Sequence, residues 1–163
     1  YYHRLTDGEL ESADSVKLND SLKFKTPGGK IVYGGGGIMP DVFVPIDTTK
    51  SNPFLNKVFY AGLINTFAFE YADKNRSELK KYTNSKTFIN QFKITTAIFD
   101  EFYEYCKKQS IELGSLNKQQ SNVDLEPYLK ALIGKNAFDK DAYYPIINKN
   151  DKCIIKAIEE LLK

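Results

Sequence analysis

Histidine is the scarcest catalytic residue in this chain of 163 residues, which holds only His3. A Ser-His-Asp triad would have to recruit that residue, which lies among the first few, where a catalytic base is poorly held. Two cysteines and one histidine also cannot complete a standard zinc site without carboxylates. The sequence therefore predicts no metal site and no active site built on histidine.

Arginine is almost as scarce, because Arg4 and Arg76 are the only two and the other basic residues are lysines. Lys+Arg number 23 against 21 Asp+Glu, which gives a net charge of +2. This balance argues against an electrostatic partner such as nucleic acid or an anionic membrane. The longest strongly apolar stretch, residues 58–69, is too short to span a bilayer.

The two cysteines, Cys106 and Cys153, lie far apart in the sequence. Two cysteines in a chain of this size do not make a disulfide scaffold. They would either pair in an oxidising compartment or remain half-buried thiols on helices, as free cysteines often do. The sequence leaves both arrangements open.

The composition changes near residue 50. Residues 1–50 hold most of the ten glycines and three of the six prolines, whereas residues 51–163 hold long apolar periodicities. We therefore predict two domains, a β-rich segment over residues 1–50 and a helical domain over residues 51–163. The fold class is α+β, mainly α, with a short β-hairpin and glycine-rich β segment followed by a bundle of about four or five helices.

The β-rich segment contains two strand patterns around a turn signal. Residues 22–25 and 30–33 alternate or are β-branched, and Thr26-Pro-Gly-Gly29 between them predicts a hairpin. A third extended stretch, residues 42–45, is flanked by prolines and is expected at a sheet edge. The run Gly34–Gly37 fits neither a phosphate loop nor a dinucleotide fingerprint, so we interpret it as a close backbone crossing.

Apolar periodicity predicts the helices of the second domain. A helix over residues 55–71 is apolar around most of its girth and is expected at the centre. Its predicted start is an Asn52 cap followed by Pro53. The remaining helix signals are residues 88–92, a start at Thr95 or Thr96, a cap at Asp124 with Pro127 in the first turn, and a last helix from Asp151 with Ile154, Ile158, Leu161 and Leu162 facing inward.

Two Ser-x-x-Lys patterns, Ser77 to Lys80 and Ser115 to Lys118, are the only nucleophile–base candidates by motif. Roughly one such match is expected by chance with this many lysines. A catalytic lysine also needs an apolar setting to lower its pKa, and both lysines lie in polar stretches. We therefore predict no catalytic, cofactor-binding or metal-binding residue in this chain.

Residues 24–48 resemble a segment of the carboxyl-terminal processing peptidases, the tail-specific proteases of serine peptidase family S41, in their Bacteroidetes-type version. The motifs that carry the resemblance are Gly29-Lys30, Gly37-Ile38 and Pro40-Asp41, with Lys30 where the family usually has arginine. The helical part is also similar to the C-terminal extension of this subfamily, most clearly at residues 129–133 and 143–158.

The resemblance implies a peptidase with a serine nucleophile, a lysine general base and a PDZ domain, all preceding Tyr1. Since the chain begins Tyr-Tyr-His and its only methionine is Met39, we expect it to be part of a longer protein. The chain itself would be a non-catalytic, structural, regulatory or oligomerising region. Its implied partners are the rest of the protease core, protein or peptide substrates of the parent enzyme and a second copy in a homo-oligomer, and its implied location is the cell envelope, in the periplasm or at the outer membrane.

Two rival interpretations remain. The chain could be an independent protein-interaction module whose glycine-rich segment is only superficially similar to the peptidases. It could also be a free-standing hydrolase that uses Ser77 or Ser115. A serine-containing and a lysine-containing catalytic motif encoded upstream would decide between these interpretations and the peptidase.

Overall fold

The computed structural model describes residues 6–12, 15–16, 20–34, 40–46 and 52–163. His3 and most of the glycine run, including the Gly37-Ile38 motif, lie outside the described residues. The chain divides into two compact units, Tyr1–Ser51 and Asn52–Lys163. Helices dominate the described residues and the sheet is small, so the fold class is α+β, mainly α, as predicted.

The first unit contains the predicted hairpin. Strand β1 spans Lys23–Lys25 and strand β2 spans Ile31–Tyr33, paired antiparallel with Phe24 opposite Val32. The turn closes through a hydrogen bond from the Gly29 amide to the Thr26 carbonyl, 2.9 Å long. Gly29 has a φ of +83°, a conformation in which glycine carries no steric penalty. Local turn chemistry therefore fixes this hairpin.

The expected third strand is not formed. Residues 42–45 have no strand pairing, and the described part of the first unit holds a two-stranded sheet. Pro40 precedes this stretch and Pro45 ends it, and neither can donate a backbone hydrogen bond, which weakens any ladder there. Gly34, the described member of the glycine run, donates its amide to the Leu22 carbonyl at 2.8 Å. A Cβ on Gly34 would lie 3.2 Å from the Phe24 ring, so this position has little room for a side chain, and the other three glycines of the predicted close backbone crossing lie outside the described residues.

The second unit is helical, with eight α-helices among the described residues rather than four or five. Helices of eight residues or fewer account for half of them. In chain order they are α1 Pro53–Tyr60, α2 Leu63–Lys74, α3 Arg76–Leu79, α4 Ser85–Gln91, α5 Thr96–Lys108, α6 Lys118–Phe138, α7 Lys140–Ile147 and α8 Lys152–Leu161. None of the described helices combines the length and apolarity needed to cross a membrane.

The predicted helix over residues 55–71 is two helices. Gly62 sits between α1 and α2 with a φ of +70°, which interrupts the helical path. The chain changes direction there, and Phe59 becomes 56% exposed instead of joining the core stripe. The buried stripe of α1 is Phe54 and Val58. The expectation that this helix is buried around its girth and central to the fold is therefore wrong.

The central helix is α6, which packs against α1, α2, α4 and α7. It begins two turns before the predicted Asp124 cap, because the Asn117 side chain accepts the Gln120 amide at 3.0 Å and starts the helix earlier. Pro127 therefore lies inside the helix and not in its first turn. The carbonyl that Pro127 leaves without a helical donor belongs to Val123, a residue 64% exposed, where water can take the donor's place.

Other helix starts follow the sequence. Asn52 caps α1 by accepting the Leu55 amide at 3.0 Å, and its own amide group donates to Asp124 of α6 at 2.9 Å. Thr95 caps α5 and Asp151 caps α8, as predicted. The core between these helices is apolar apart from the buried Ser121, and its fully buried large side chains include Phe88, Phe102, Leu125, Leu129 and Ile133.

The last helix differs from the prediction. Of the four residues expected to face inward, Ile158, Leu161 and Leu162 are 52%, 85% and 82% exposed and Ile154 is half-buried. No residue of α8 is buried. The apolar spacing correctly predicted an amphipathic helix. However, no part of the described structure buries the apolar face of α8.

Candidate functional site

Neither Ser-x-x-Lys pattern forms a catalytic pair. Ser77 and Lys80 are exposed at α3 and its end, and the described structure records no hydrogen bond between them. Lys118 instead forms an ion pair with Asp100 at 2.7 Å and lies 5.2 Å from the centre of the Tyr103 ring. These contacts link the start of α6 to α5, and among the described residues no hydrogen bond joins Lys118 to Ser115, which is exposed. A nucleophile needs a base within hydrogen-bond reach in a partly desolvated site, which neither setting offers.

A pocket of about 430 Å³ lies where α2, α3 and the end of α6 meet. Its apolar wall comes from Phe69, Leu79, Tyr82 and Phe138. Phe69 projects from the middle of α2 and is still 58% exposed, which is unusual for a phenylalanine on a packed helix. The pocket is of a size that holds a small molecule or one large side chain of a partner.

The polar wall of this pocket is already paired in part. Asp73 accepts hydrogen bonds from Nε and Nη2 of Arg76 at 2.8 and 2.6 Å. The Arg76 guanidinium is therefore already paired with a carboxylate. Asn136 donates to the Leu132 carbonyl of its own helix at 2.8 Å. Lys80 contributes the remaining cation of the lining. The pocket thus combines an apolar wall with a few polar side chains, which is typical of a binding pocket.

A second groove of about 260 Å³ runs between α2 and α5 and is lined by charged and tyrosine side chains. Lys74 pairs with Glu101 at 2.9 Å across it, with both side chains well exposed. Burial first, and then the nearby Glu101 charge, raises the pKa of Tyr71 above its ordinary value. Exposed pairs of this kind contribute little stability, so the groove is a solvated seam between two helices.

The two cysteines are free thiols in opposite environments. Cys106 is fully buried on α5, and Cys153 is exposed on α8. Burial raises the pKa of the Cys106 thiol to about 12 from an ordinary value of 9.0. Both cysteines are free thiols on helices, as one of the two interpretations expected. Neither is half-buried, because Cys106 is fully buried and Cys153 is exposed.

The Cys106 shift predicts a loss of stability in alkali. Between pH 9 and 12 the thiol ionises in the unfolded chain and not in the folded one, so the folded state binds more protons and stability falls as the pH rises. Relative to a Cys106→Ala variant, which has no such thiol, the wild-type chain should lose about 2 kcal/mol of unfolding free energy between pH 8 and pH 10.5. Urea titrations at the two pH values measure this difference. Equal slopes for wild type and Cys106→Ala would contradict the assignment.

Sequence reasoning missed the pocket because its residues come from three separate helices. The signals present in the sequence were only apolar residues such as Phe69, which the periodicity assigned to the core. The spacing of apolar residues predicted an amphipathic α8, but it did not indicate that the apolar face of this helix is exposed.

Comparison with known proteins places part of the chain in a described family. The model of a family described as "Family of unknown function (DUF8443)" matches residues 54–139, which covers α1 to α6 and slightly more than half of the chain. No curated protein and no solved structure matches the chain.

Proposed function

We propose that this chain, which belongs to DUF8443, a family of unknown function, is the non-catalytic C-terminal region of a carboxyl-terminal processing peptidase. The catalytic serine and lysine would lie in the part of the protein that precedes residue 1. The helical unit would pack on that core, regulate it or hold copies together. Protein and peptide substrates of the parent enzyme, and a place in the cell envelope, belong to the same proposal.

The observation that carries the proposal is the incomplete character of the hairpin. Phe24 and Val32 face each other on one side and are 58% and 38% exposed, while Ile31 on the other side is 50% exposed. A hairpin of two three-residue strands is marginally stable in water on its own. Apolar side chains on both faces are typical of a strand pair that lies inside a larger β structure. The core of a processing peptidase would supply that structure.

A contact within the first unit also supports the proposal. The Lys30 ammonium donates to the Asp41 carboxylate, so two of the motifs that carry the resemblance touch each other. The pair is exposed and contributes little to stability. Its effect is positional, because it ties the segment after the glycine run to the end of the hairpin turn. An arginine, usual in the peptidases at this position, can make the same pair.

The interaction-module alternative keeps one argument in its favour. The family match is confined to the helical residues 54–139, and these residues have an apolar core of their own. On this alternative the pocket beside Phe69 would bind a partner, and no peptidase would be encoded upstream.

The experiment that tests the proposal compares the complete gene product with residues 1–163. We expect the reading frame to encode a serine and a lysine motif upstream, and the complete protein to degrade an unstructured protein while residues 1–163 do not. Mass spectrometry of the products measures both. Absence of the upstream motifs or of cleavage would refute the proposal, and cleavage by residues 1–163 that Ser77→Ala or Ser115→Ala abolishes would favour the hydrolase alternative.

A matched pair of variants tests the hairpin argument in the same assay. Phe24 and Phe59 are almost equally exposed, at 58% and 56%, but lie in different units. Phe24→Asp should greatly reduce soluble, active complete protein, because it places a charge where the peptidase core covers the hairpin. Phe59→Asp should leave the activity within about twofold, as is usual for a surface change. Equal behaviour of the two variants would count against a core that covers the hairpin.

A further inference from the structure

The pocket beside Phe69 carries a positive charge that the protein itself does not neutralise. Three charged side chains line it, Asp73, Arg76 and Lys80. Asp73 and Arg76 pair with each other at 2.6 Å and so cancel. Lys80 is exposed and forms no ion pair with any residue that the structure describes. The lining therefore has a net charge of one positive unit beside an apolar wall.

The carboxylates nearest to Lys80 in the sequence are already paired with other side chains. Glu78 accepts the ammonium of Lys81 at 2.7 Å, and Asp73 accepts Arg76. The Arg76 guanidinium has five N–H donors, of which its pair with Asp73 uses two. An anion that enters the pocket would thus find one lysine without a partner and further donors on the arginine.

Two of the three aromatic rings in the wall are held in place by the core. The Tyr82 ring meets those of Phe88 and Phe92 edge-on, with centres 5.6 and 5.9 Å apart. The Phe138 ring lies 5.4 Å from that of Phe88, which is fully buried. Phe69 is 58% exposed and contacts no other ring in the described part of the chain. A flat apolar ligand would cover Phe69 against two rings that are already fixed.

A strained residue lies directly after one of these walls. Asp139 follows Phe138 and has a φ of +54° and a ψ of −150°, a backbone conformation that is nearly confined to glycine. Other residues keep such a conformation only where the surrounding structure imposes it, and they cluster at ligand-binding and catalytic sites. The strain at the junction of α6 and α7 therefore supports a binding role for the pocket.

We propose that this pocket binds a small organic anion, with a flat apolar body of about two fused rings and a single carboxylate-type group. The body lies between Phe69, Tyr82 and Phe138, and the anionic group pairs with Lys80. A volume of about 430 Å³ is within the range of small-molecule sites. A single anionic group matches the single uncompensated charge of the lining. This inference does not rest on the proposed peptidase function, because it concerns binding by residues 1–163 and not peptide cleavage.

The first test uses indole-3-acetate as a probe and indole-3-acetamide as its uncharged counterpart of nearly the same shape. Titration of the ¹⁵N-labelled chain, followed by amide NMR shifts, measures affinity and location together. We expect indole-3-acetate to bind with a Kd of about 0.1–1 mM and to shift amides around Leu79, Tyr82 and Phe138. The amide should bind at least about threefold more weakly. Absence of binding, shifts confined to the exposed face of α8, or equal affinity for the two probes would overturn the proposal.

The second test removes the charge of Lys80. Lys80→Gln should reduce the preference for the acetate over the amide from at least about threefold to about one, because only the acetate pairs with the ammonium. Lys81→Gln is the matched control, since Lys81 is the next residue but pairs with Glu78 and lies outside the described lining. It should keep the preference at about 0.15 M salt, where more distant exposed charges are screened. An unchanged preference in Lys80→Gln, or an equal loss in both variants, would refute the pairing.

The third test removes the exposed ring of the wall. Phe69→Ala should weaken the binding of both probes by a similar factor of at least about threefold, because it removes apolar contact and no charge. Phe59→Ala is the matched control, since Phe59 is 56% exposed on α1 and lies outside the described lining. It should leave both affinities within about twofold, and the amide spectra verify that each variant is folded. Equal affinities of the Phe69 and Phe59 variants would contradict a ligand site beside Phe69.

Discussion

Replacing Phe67 by alanine is expected to destabilise the helical unit by about 3–5 kcal/mol, whereas the same change at Phe59 should cost less than about 1 kcal/mol. Phe67 on α2 is 3% exposed, and its ring lies 5.1 Å from that of Phe102 and 5.6 Å from that of Tyr105. Truncation removes these contacts and leaves a cavity among side chains that cannot close it. A loss of this size is a large part of the stability of a typical domain.

Phe59 is the matched control, because the chemical change is identical and only the burial differs. It is 56% exposed and packs on one side against Tyr128, with ring centres 5.6 Å apart. Urea denaturation of residues 1–163 followed by far-UV circular dichroism measures both variants. A silent Phe67→Ala would mean that α2 is peripheral to the core, and an equal loss at Phe59 would mean that α1 is buried on a face that the structure shows exposed.

The parts of the fold that the sequence predicts are those that neighbouring residues determine. The hairpin depends on a Pro-Gly-Gly turn, and the starts of α1, α5 and α8 depend on the side chains of Asn52, Thr95 and Asp151, each acting within three residues. The β-versus-α division of the chain follows from composition in the same way.

The parts that it does not predict depend on distant residues. The periodicity of residues 55–71 is compatible with one helix, and only the conformation of Gly62 divides it. Once divided, the exposed or buried state of Phe59 depends on how α1 crosses α6, which no local pattern encodes. Likewise, Asp124 with Pro127 suggested a helix start, but α6 begins at Lys118 after its Asn117 cap, and solvent exposure near Val123 allows the proline to lie inside the helix.

The candidate sites differ in the same respect. The pocket beside Phe69 combines residues from α2, α3 and α6, so tertiary packing creates it and sequence spacing does not reveal it. The α8 surface was visible as an amphipathic pattern, and the prediction of an inward face assumed that the cover belongs to the same chain. An apolar stripe indicates that something covers it, but the stripe itself does not specify whether the cover is the same molecule or another.

Gly134 is the position in the helical core where the largest effect of an added side chain is expected. It lies inside α6, and a Cβ there would come within 2.6 Å of Cε1 of Phe88 and 3.0 Å of the Ala142 Cβ. Phe88 is fully buried and stacks on Phe92 with ring centres 4.6 Å apart, so its ring has no free direction in which to move. Although replacing a helical glycine normally stabilises a helix by up to about 1 kcal/mol, the overlap here outweighs that gain.

We therefore expect Gly134→Val to lower the unfolding free energy by about 3 kcal/mol or more, measured by urea denaturation. Ala137→Val on the exposed side of the same helix is the control and should cost less than about 1 kcal/mol. Phe88→Leu removes the ring that a new side chain would meet, so the double variant should be more stable than the sum of the two single losses predicts. Additive losses would show that the strain lies elsewhere. A smaller loss in the double variant would show that the new side chain overlaps with Phe88. The close packing of α4, α6 and α7 would then require a residue without a side chain at position 134.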